Sequence, residues 1–180
     1  MAKNMKIITV SGIILLILFS ALYILFQADI FLTMSITFGT ISYHFCMRLI
    51  VGYVVDRIMN NKADYNKPFF RVGKTENNFY KLIKVKKWKN HMPTYSPDTF
   101  SPEKHTWSEI AQATCQSEIV HEINVLLSFL PLAVVPVLGA FPVFLLTSVG
   151  AAFFDLLFVI MQRYNRQRIT KIADKEKARD

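Results

Sequence analysis

Glu118 and His121 stand three residues apart in the stretch "ATCQSEIVHEINVLLSFL" (113–130), at the mouth of a run built otherwise of apolar and small polar residues. Histidine titrates near neutrality and is the side chain best matched to taking and returning a proton at pH 7. A carboxylate three positions earlier shares its helical face and can fix its tautomer. The pair reads as a general base, His121, with Glu118 as the group that orients it. Ionisable groups interrupt apolar sequence at two other places: His44 and Arg48, four apart, and Asp155, followed by Gln162-Arg163-Tyr164-Asn165-Arg166. Acyl transfer from a thioester to a hydroxyl needs a base and a positive or donor group where oxyanion charge develops. Arg48, Arg163 and Arg166 suit that role, or the holding of a phosphate or carboxylate of the donor. Gln162 and Asn165 add neutral donors, Asp155 joins the same substrate-binding set, and His44 is a second proton carrier. Glu-x-x-His is also the spacing of carboxylate-bridged di-iron helices, where it occurs twice; here it occurs once, and a metal-dependent enzyme is the rival reading. The acyl-transfer chemistry itself calls for no metal or other cofactor, only an acyl donor such as a thioester as co-substrate.

The elements that must position these groups lie in lipid. The 180-residue chain is 52% hydrophobic and 19% charged, with a mean hydropathy of +0.29, and a soluble domain carries more charge than that. Residues 7–26 hold no charge, enough to cross a hydrocarbon core of ~30 Å with ~20 residues. A second run, 30–55, is broken only by His44 and Arg48. The apolar block 123–154 contains Pro131, Pro136 and Pro142 and is too long for one span, so it divides into helices over about 107–130 and 137–161. The fold class is all-α: one membrane domain of four transmembrane helices. At ~1.5 Å per residue, His44 and Arg48, Glu118 and His121, and Asp155 all fall about 12 to 21 Å inside the same edge of their helices. A charge placed in the bilayer costs ~2.5 to 3.5 kcal/mol, so these groups are expected to face one polar pocket. Interhelical pairing without chemistry is the plainer alternative.

Of the 21 Lys and Arg, two precede the first span, eleven fall in 56–106 and seven follow Met161, while the two remaining connections hold none. The positive-inside rule then puts both termini, the loop 56–106 and the tail 162–180 in the cytoplasm of a multi-pass cell-membrane protein. The net charge of +8 is an attraction to anionic lipid headgroups, and nucleic acid is not the partner. Within the loop, "NNFYKLIKVKKWKNHMP" interleaves Phe79, Tyr80, Leu82, Ile83, Val85 and Trp88 with lysines, which makes it a basic, partly amphipathic segment of the headgroup layer between the second and third spans. Trp88 is placed with the substrate contacts. Thr106 to Glu109 fits a capping box that opens the third span. Cys46 and Cys115 lie in spans without a CxxC, and read as small buried hydrophobes.

The blocks "FYKLIKVKKWKNHMP", "ATCQSEIVHEINVLLSFLP" and "DLLFVIMQRYNRQRI" resemble, in this order, the signature blocks of the glycosyl-4,4'-diaponeurosporenoate acyltransferase family, small bacterial membrane proteins of carotenoid biosynthesis. The resemblance covers roughly 66–169. It departs at Asp155, where the family has asparagine, at Gln167, where it has proline, and at Glu122, where it has an aromatic residue. It implies a lipid-modifying membrane enzyme that moves a fatty acyl group to a hydroxyl of a glycosylated isoprenoid, carotenoid or related polar lipid. A non-catalytic lipid-binding or transport protein is the alternative from another class.

The charge distribution generates a topology test. Cysteines engineered near Lys74 and Lys177 are expected to be protected from an impermeant thiol reagent in intact cells and labelled after permeabilisation; labelling of both in intact cells reverses the orientation.

Overall fold

The computed structural model describes residues 2–94 and 96–178; Met1, Tyr95 of the central connection, and Arg179 and Asp180 of the tail lie outside the described residues. The helices, in chain order, are α1 (Ala2–Phe26), α2 (Asp29–Met59), α3 (Lys74–Leu82), α4 (Val85–Trp88), α5 (Trp107–Leu127), α6 (Val135–Leu138) and α7 (Phe141–Lys177). Four stretches, Lys3–Phe26, Asp29–Met59, Trp107–Leu138 and Phe141–Lys177, are long and apolar enough to cross a membrane. The fold is all-α, with the four expected apolar helices.

Three boundaries differ from expectation. The third span leaves α-helical geometry at Leu127 and continues as a 3₁₀ turn over Leu130–Val134 and the short α6. Pro131 and Pro136 occupy first-turn positions of these two elements, where a missing N–H costs nothing. Gly139, at φ +66°, ends α6 in a conformation that favours glycine. The basic segment after Met161 continues α7 to Lys177, because residues 151–177 contain neither glycine nor proline and bury one stripe, including Gln162, Arg166 and Ala173. The central connection is largely ordered as α3, α4 and short 3₁₀ turns.

The described chain divides into two compact units. The first takes the chain up to Gly52 and Ile123–Phe154. Ile14, Ile17, Ile24 and Leu25 of α1 are each more than half exposed, an arrangement stable in lipid and ruinous in water. The α1 and α2 backbones approach closely at Gly12, where an added Cβ would run into Ser42 Oγ, and Phe19 stacks on Phe38 at 5.5 Å. Tyr43 donates its hydroxyl to Leu127 O at 2.8 Å, and Arg48 donates to His44 O at 3.0 Å and Ala151 O at 3.1 Å. A cavity of about 460 Å³ opens between Leu16, Ile36, Gly39, Pro131 and Phe144. Of its hydroxyls, Ser35 and Thr40 turn back on their own helix, to Phe31 O and Ile36 O, and Tyr43 donates to Leu127 O, so its wall is mostly apolar.

The second unit takes Tyr53–Glu122 and the chain from Asp155 onward. Its core is Ala63, Tyr65, Phe70, Ala111 and Cys115, with Met59, Ile119 and Ile169 packed against them. The turn after α2 places Asn60 and Asn61 at φ +46° and +54°, a conformation asparagine tolerates. Gln116 ties this turn to α5, accepting from Asn61 N at 2.6 Å and donating to Asp56 at 3.0 Å. The predicted capping box is present: Thr106 N donates to Glu109 Oε2 at 2.8 Å and Glu109 N to Thr106 Oγ1 at 3.2 Å. Along α3, Tyr80 is 3% exposed while Leu82 is 77% exposed, so the helix has a docked face and a bare apolar one.

The close approach at Gly12 yields a stability prediction. Gly12→Leu should destabilise the protein by about 1 to 3 kcal/mol, the usual cost of overpacking, and Ser42→Gly in the same chain should recover part of it. The thermal midpoint of the purified protein in detergent checks this, and an unchanged midpoint for Gly12→Leu would refute the contact.

Candidate active site

In the second unit, α5 and α7 each present a stripe of polar groups inward. Glu118 and His121 lie on α5, and Asp155, Phe158, Gln162 and Arg166 follow one another on α7 at spacings of three and four, which keeps them on one helical face. His121 Nδ1 lies 2.8 Å from Asp155 Oδ1. Asp155 is 1% exposed and the His121 side chain 19%, so the acid is sealed and the ring keeps an open edge. The ring stacks on Phe158 at 4.5 Å between centroids, 6° from parallel. Gln162 Nε2 donates to Ser117 Oγ at 3.0 Å. The imidazole is thus fixed by a carboxylate at one nitrogen and an aromatic plane on one face.

Glu118 meets other partners. Its carboxylate, with no exposed surface, receives Arg163 Nη1 on one oxygen and Arg166 Nη2 on the other. Arg163 also binds Glu76 through Nε at 2.5 Å and Nη2 at 3.0 Å, Phe69 O at 3.1 Å and Arg71 O at 3.1 Å. All five of its N–H donors are engaged. Arg166 is 2% exposed, donates from Nε to Phe70 O at 3.2 Å and lies 5.1 Å over the Phe70 ring. Its Nη1 is buried with no hydrogen-bond partner among the described residues. Glu76 and Glu118 thus share two guanidiniums, the opposite-charge pairing under which buried ions are tolerated.

Glu76 belongs to α3, outside the apolar helices. Burial alone would raise its pKa, but hydrogen bonds from Arg163 and Tyr80 outweigh that and hold it below the ordinary carboxylate range. The Tyr80 phenol is pushed above its ordinary range by burial and by the bond it donates to Glu76. Glu76 did not stand out in the sequence, and Tyr80, named there only among the aromatics of the headgroup-layer segment, is instead 3% exposed. The signal was their i, i+4 spacing on a short helix beside two arginines in need of acids.

Asn165 accepts from Lys89 Nζ at 2.6 Å, and Trp88 donates Nε1 to Ile83 O at 3.1 Å. His44, 5% exposed, and Arg48 belong to the first unit. The structure brings His121 together with Asp155, and Glu118 with Arg163 and Arg166. The carboxylate in contact with the His121 ring is thus Asp155, while Glu118 is bound by the two arginines. Among the described residues no group of three or more His, Cys, Asp or Glu side chains is arranged to hold a metal ion.

The sequence profile described as glycosyl-4,4'-diaponeurosporenoate acyltransferase matches residues 60–175, well over half of the chain. The chain belongs to this family. Neither the curated proteins nor the solved structures contain a significant match. The matched segment holds the His121–Asp155 pair and the Glu118 cluster, whereas His44 and Arg48 precede it. The protein is a membrane-embedded enzyme of the acyltransferase type.

In this acyltransferase the Glu118 cluster sets two stability expectations. Glu118→Gln leaves two guanidiniums short of their shared charge and should cost about 3 to 5 kcal/mol. Glu76→Gln, at a carboxylate 28% exposed, should cost less. Because the folded pKa of Glu76 is depressed, its contribution is present above the unfolded value of ~4.3 and is lost as pH falls through the folded one. Unfolding midpoints taken from pH 7 down to pH 3 should fall more steeply in the wild type than in Glu76→Gln; parallel curves would remove Glu76 from the account.

Proposed function

We propose that this enzyme moves a fatty acyl group from an activated donor, such as a thioester, to a hydroxyl of a glycosylated isoprenoid or related polar lipid, with His121 as general base. The observation that carries the proposal is the 2.8 Å contact between His121 Nδ1 and the sealed Asp155 carboxylate. With Nδ1–H donated to Asp155, the lone pair of Nε2 is free to take a proton from the acceptor hydroxyl. The hydroxyl oxygen then attacks the thioester carbonyl carbon, the C–O bond forms, and the carbonyl electron pair moves onto oxygen. As the tetrahedral intermediate collapses, the C–S bond breaks and the His121 imidazolium returns its proton to the leaving thiolate. Gln162 is bonded to Ser117, which stands one turn before His121 on α5. Its second amide N–H is our candidate donor to the oxyanion. Arg163 and Arg166 hold Glu118 and serve the site by fixing α5 against α7.

The bare apolar edge of α3, Phe79 and Leu82 beside Lys81, suits the headgroup layer of the cytoplasmic leaflet. We place this edge, together with both termini, on the cytoplasmic side.

His121→Ala should lower turnover by roughly 10²- to 10⁴-fold with little change in donor binding. Asp155→Asn should retain the fold and lose a smaller part of the rate, because the amide still orients the ring but no longer stabilises the imidazolium. Acyl transfer and thermal stability are to be measured on the same samples. A stable, fully active His121→Ala protein would sink the assignment.

A further inference from the structure

Arg163 has no donor left and Arg166 is sealed, so an anionic ligand must be met by other cations. Lys89 reaches across from the 3₁₀ turn Lys89–His91 to α7. Its ammonium lies 2.6 Å from the Asn165 amide oxygen and 5.3 Å over the Tyr164 ring. Tyr164 is backed edge-on by the buried Tyr80 at 6.2 Å, so the platform is rigid. Arg168 follows Asn165 by three residues and Tyr164 by four on α7, and therefore overlies the same face. Among the described residues neither Lys89 nor Arg168 makes an ion pair. Burial and the Arg168 charge both hold the Lys89 pKa below its ordinary value.

Two like charges gathered on an aromatic shelf without a carboxylate form a site short of an anion. We propose that Lys89, Arg168, Asn165 and Tyr164 form a phosphate-ester site. It would hold either the phosphates of a soluble phosphorylated acyl donor or the phosphodiester of an anionic lipid. Lys89 supplies a point charge, Arg168 a planar pair of donors, and the Asn165 amide swings its N–H₂ toward the ligand when Lys89 turns from it. The soluble-donor source rests on the acyl-transfer reading; the site itself does not.

The probes are coenzyme A, added to the protein in an uncharged detergent, and nanodiscs of phosphatidylcholine with and without phosphatidylglycerol. Lys89→Ala and Arg168→Ala are each expected to weaken phosphate binding by roughly 10- to 100-fold, the range for one charge-assisted hydrogen bond, and Lys89→Arg should recover most of it. Titration calorimetry reads coenzyme A affinity, and the thermal midpoint in nanodiscs reads lipid binding. Coenzyme A binding that both alanine variants lose assigns the site to the donor. A stabilisation by phosphatidylglycerol that both variants lose, with no coenzyme A binding, assigns it to the lipid. Wild-type affinities and midpoint shifts in both variants overturn the site. Failure of the His121 assignment leaves these binding outcomes unaltered, so the two readings fall separately.

Discussion

A carboxylate with no exposed surface keeps its charge only if donors replace the water it has lost, and Glu118 obtains them from Arg163 and Arg166, one on each oxygen. The rest of the second unit follows from that requirement. Each guanidinium needs further acceptors, and these come from the segment leading into α3: the carbonyls of Phe69, Phe70 and Arg71, and the carboxylate of Glu76. One buried charge on α5 thereby fixes the register of α7 and recruits a segment outside the apolar helices that hydrophobic burial alone would not hold. Apolar replacement of such a cluster is often tolerated energetically, but removing one member of it is not. Its contribution is therefore best understood as geometry rather than net stability.

That geometry determines what the neighbouring turn of α5 can do. His121 is three residues beyond Glu118 and faces Asp155 and Phe158, which stand eight and five residues before Arg163 on α7. Because the Glu118 clamp locks the two helices side by side, the His121–Asp155 contact is positioned without help from flexible loops. Stacking on Phe158 removes the remaining freedom of ring rotation. A side chain held this way has little orientational freedom left to lose on meeting a ligand.

The four apolar helices and the capping box at Thr106 were legible because they depend on local sequence: length, hydropathy and a three-residue spacing. The partner of His121 was not. Spacing on α5 brought Glu118 forward because it is three residues away, whereas Asp155 is 34 residues distant in sequence and meets the ring only through helix packing. Arg163 and Arg166 read as cations available to a ligand, since no pattern in the chain shows that three backbone carbonyls and Glu76 claim them first. The helical course of the supposed tail was hidden for a related reason. Its basic residues suggest a hydrated end, and only the buried stripe through Arg166 and Ala173 reveals a packed helix.

The stretch "QRYNRQR" shows how one short sequence can carry two unrelated tasks. At ~100° per residue, Gln162, Arg163 and Arg166 fall within one sector of α7, and Tyr164, Asn165 and Arg168 fall within the opposite one. The first sector meets Ser117, Glu118 and Glu76, and its charges are neutralised in place. The second meets Lys89 and Tyr80, and its one charge, Arg168, makes no ion pair among the described residues. Composition alone gives both sectors the same character, a basic stop at the end of a span. The distinction arises from packing: among the described residues Glu76 and Glu118 meet the first sector of the helix, and neither pairs with a cation of the second.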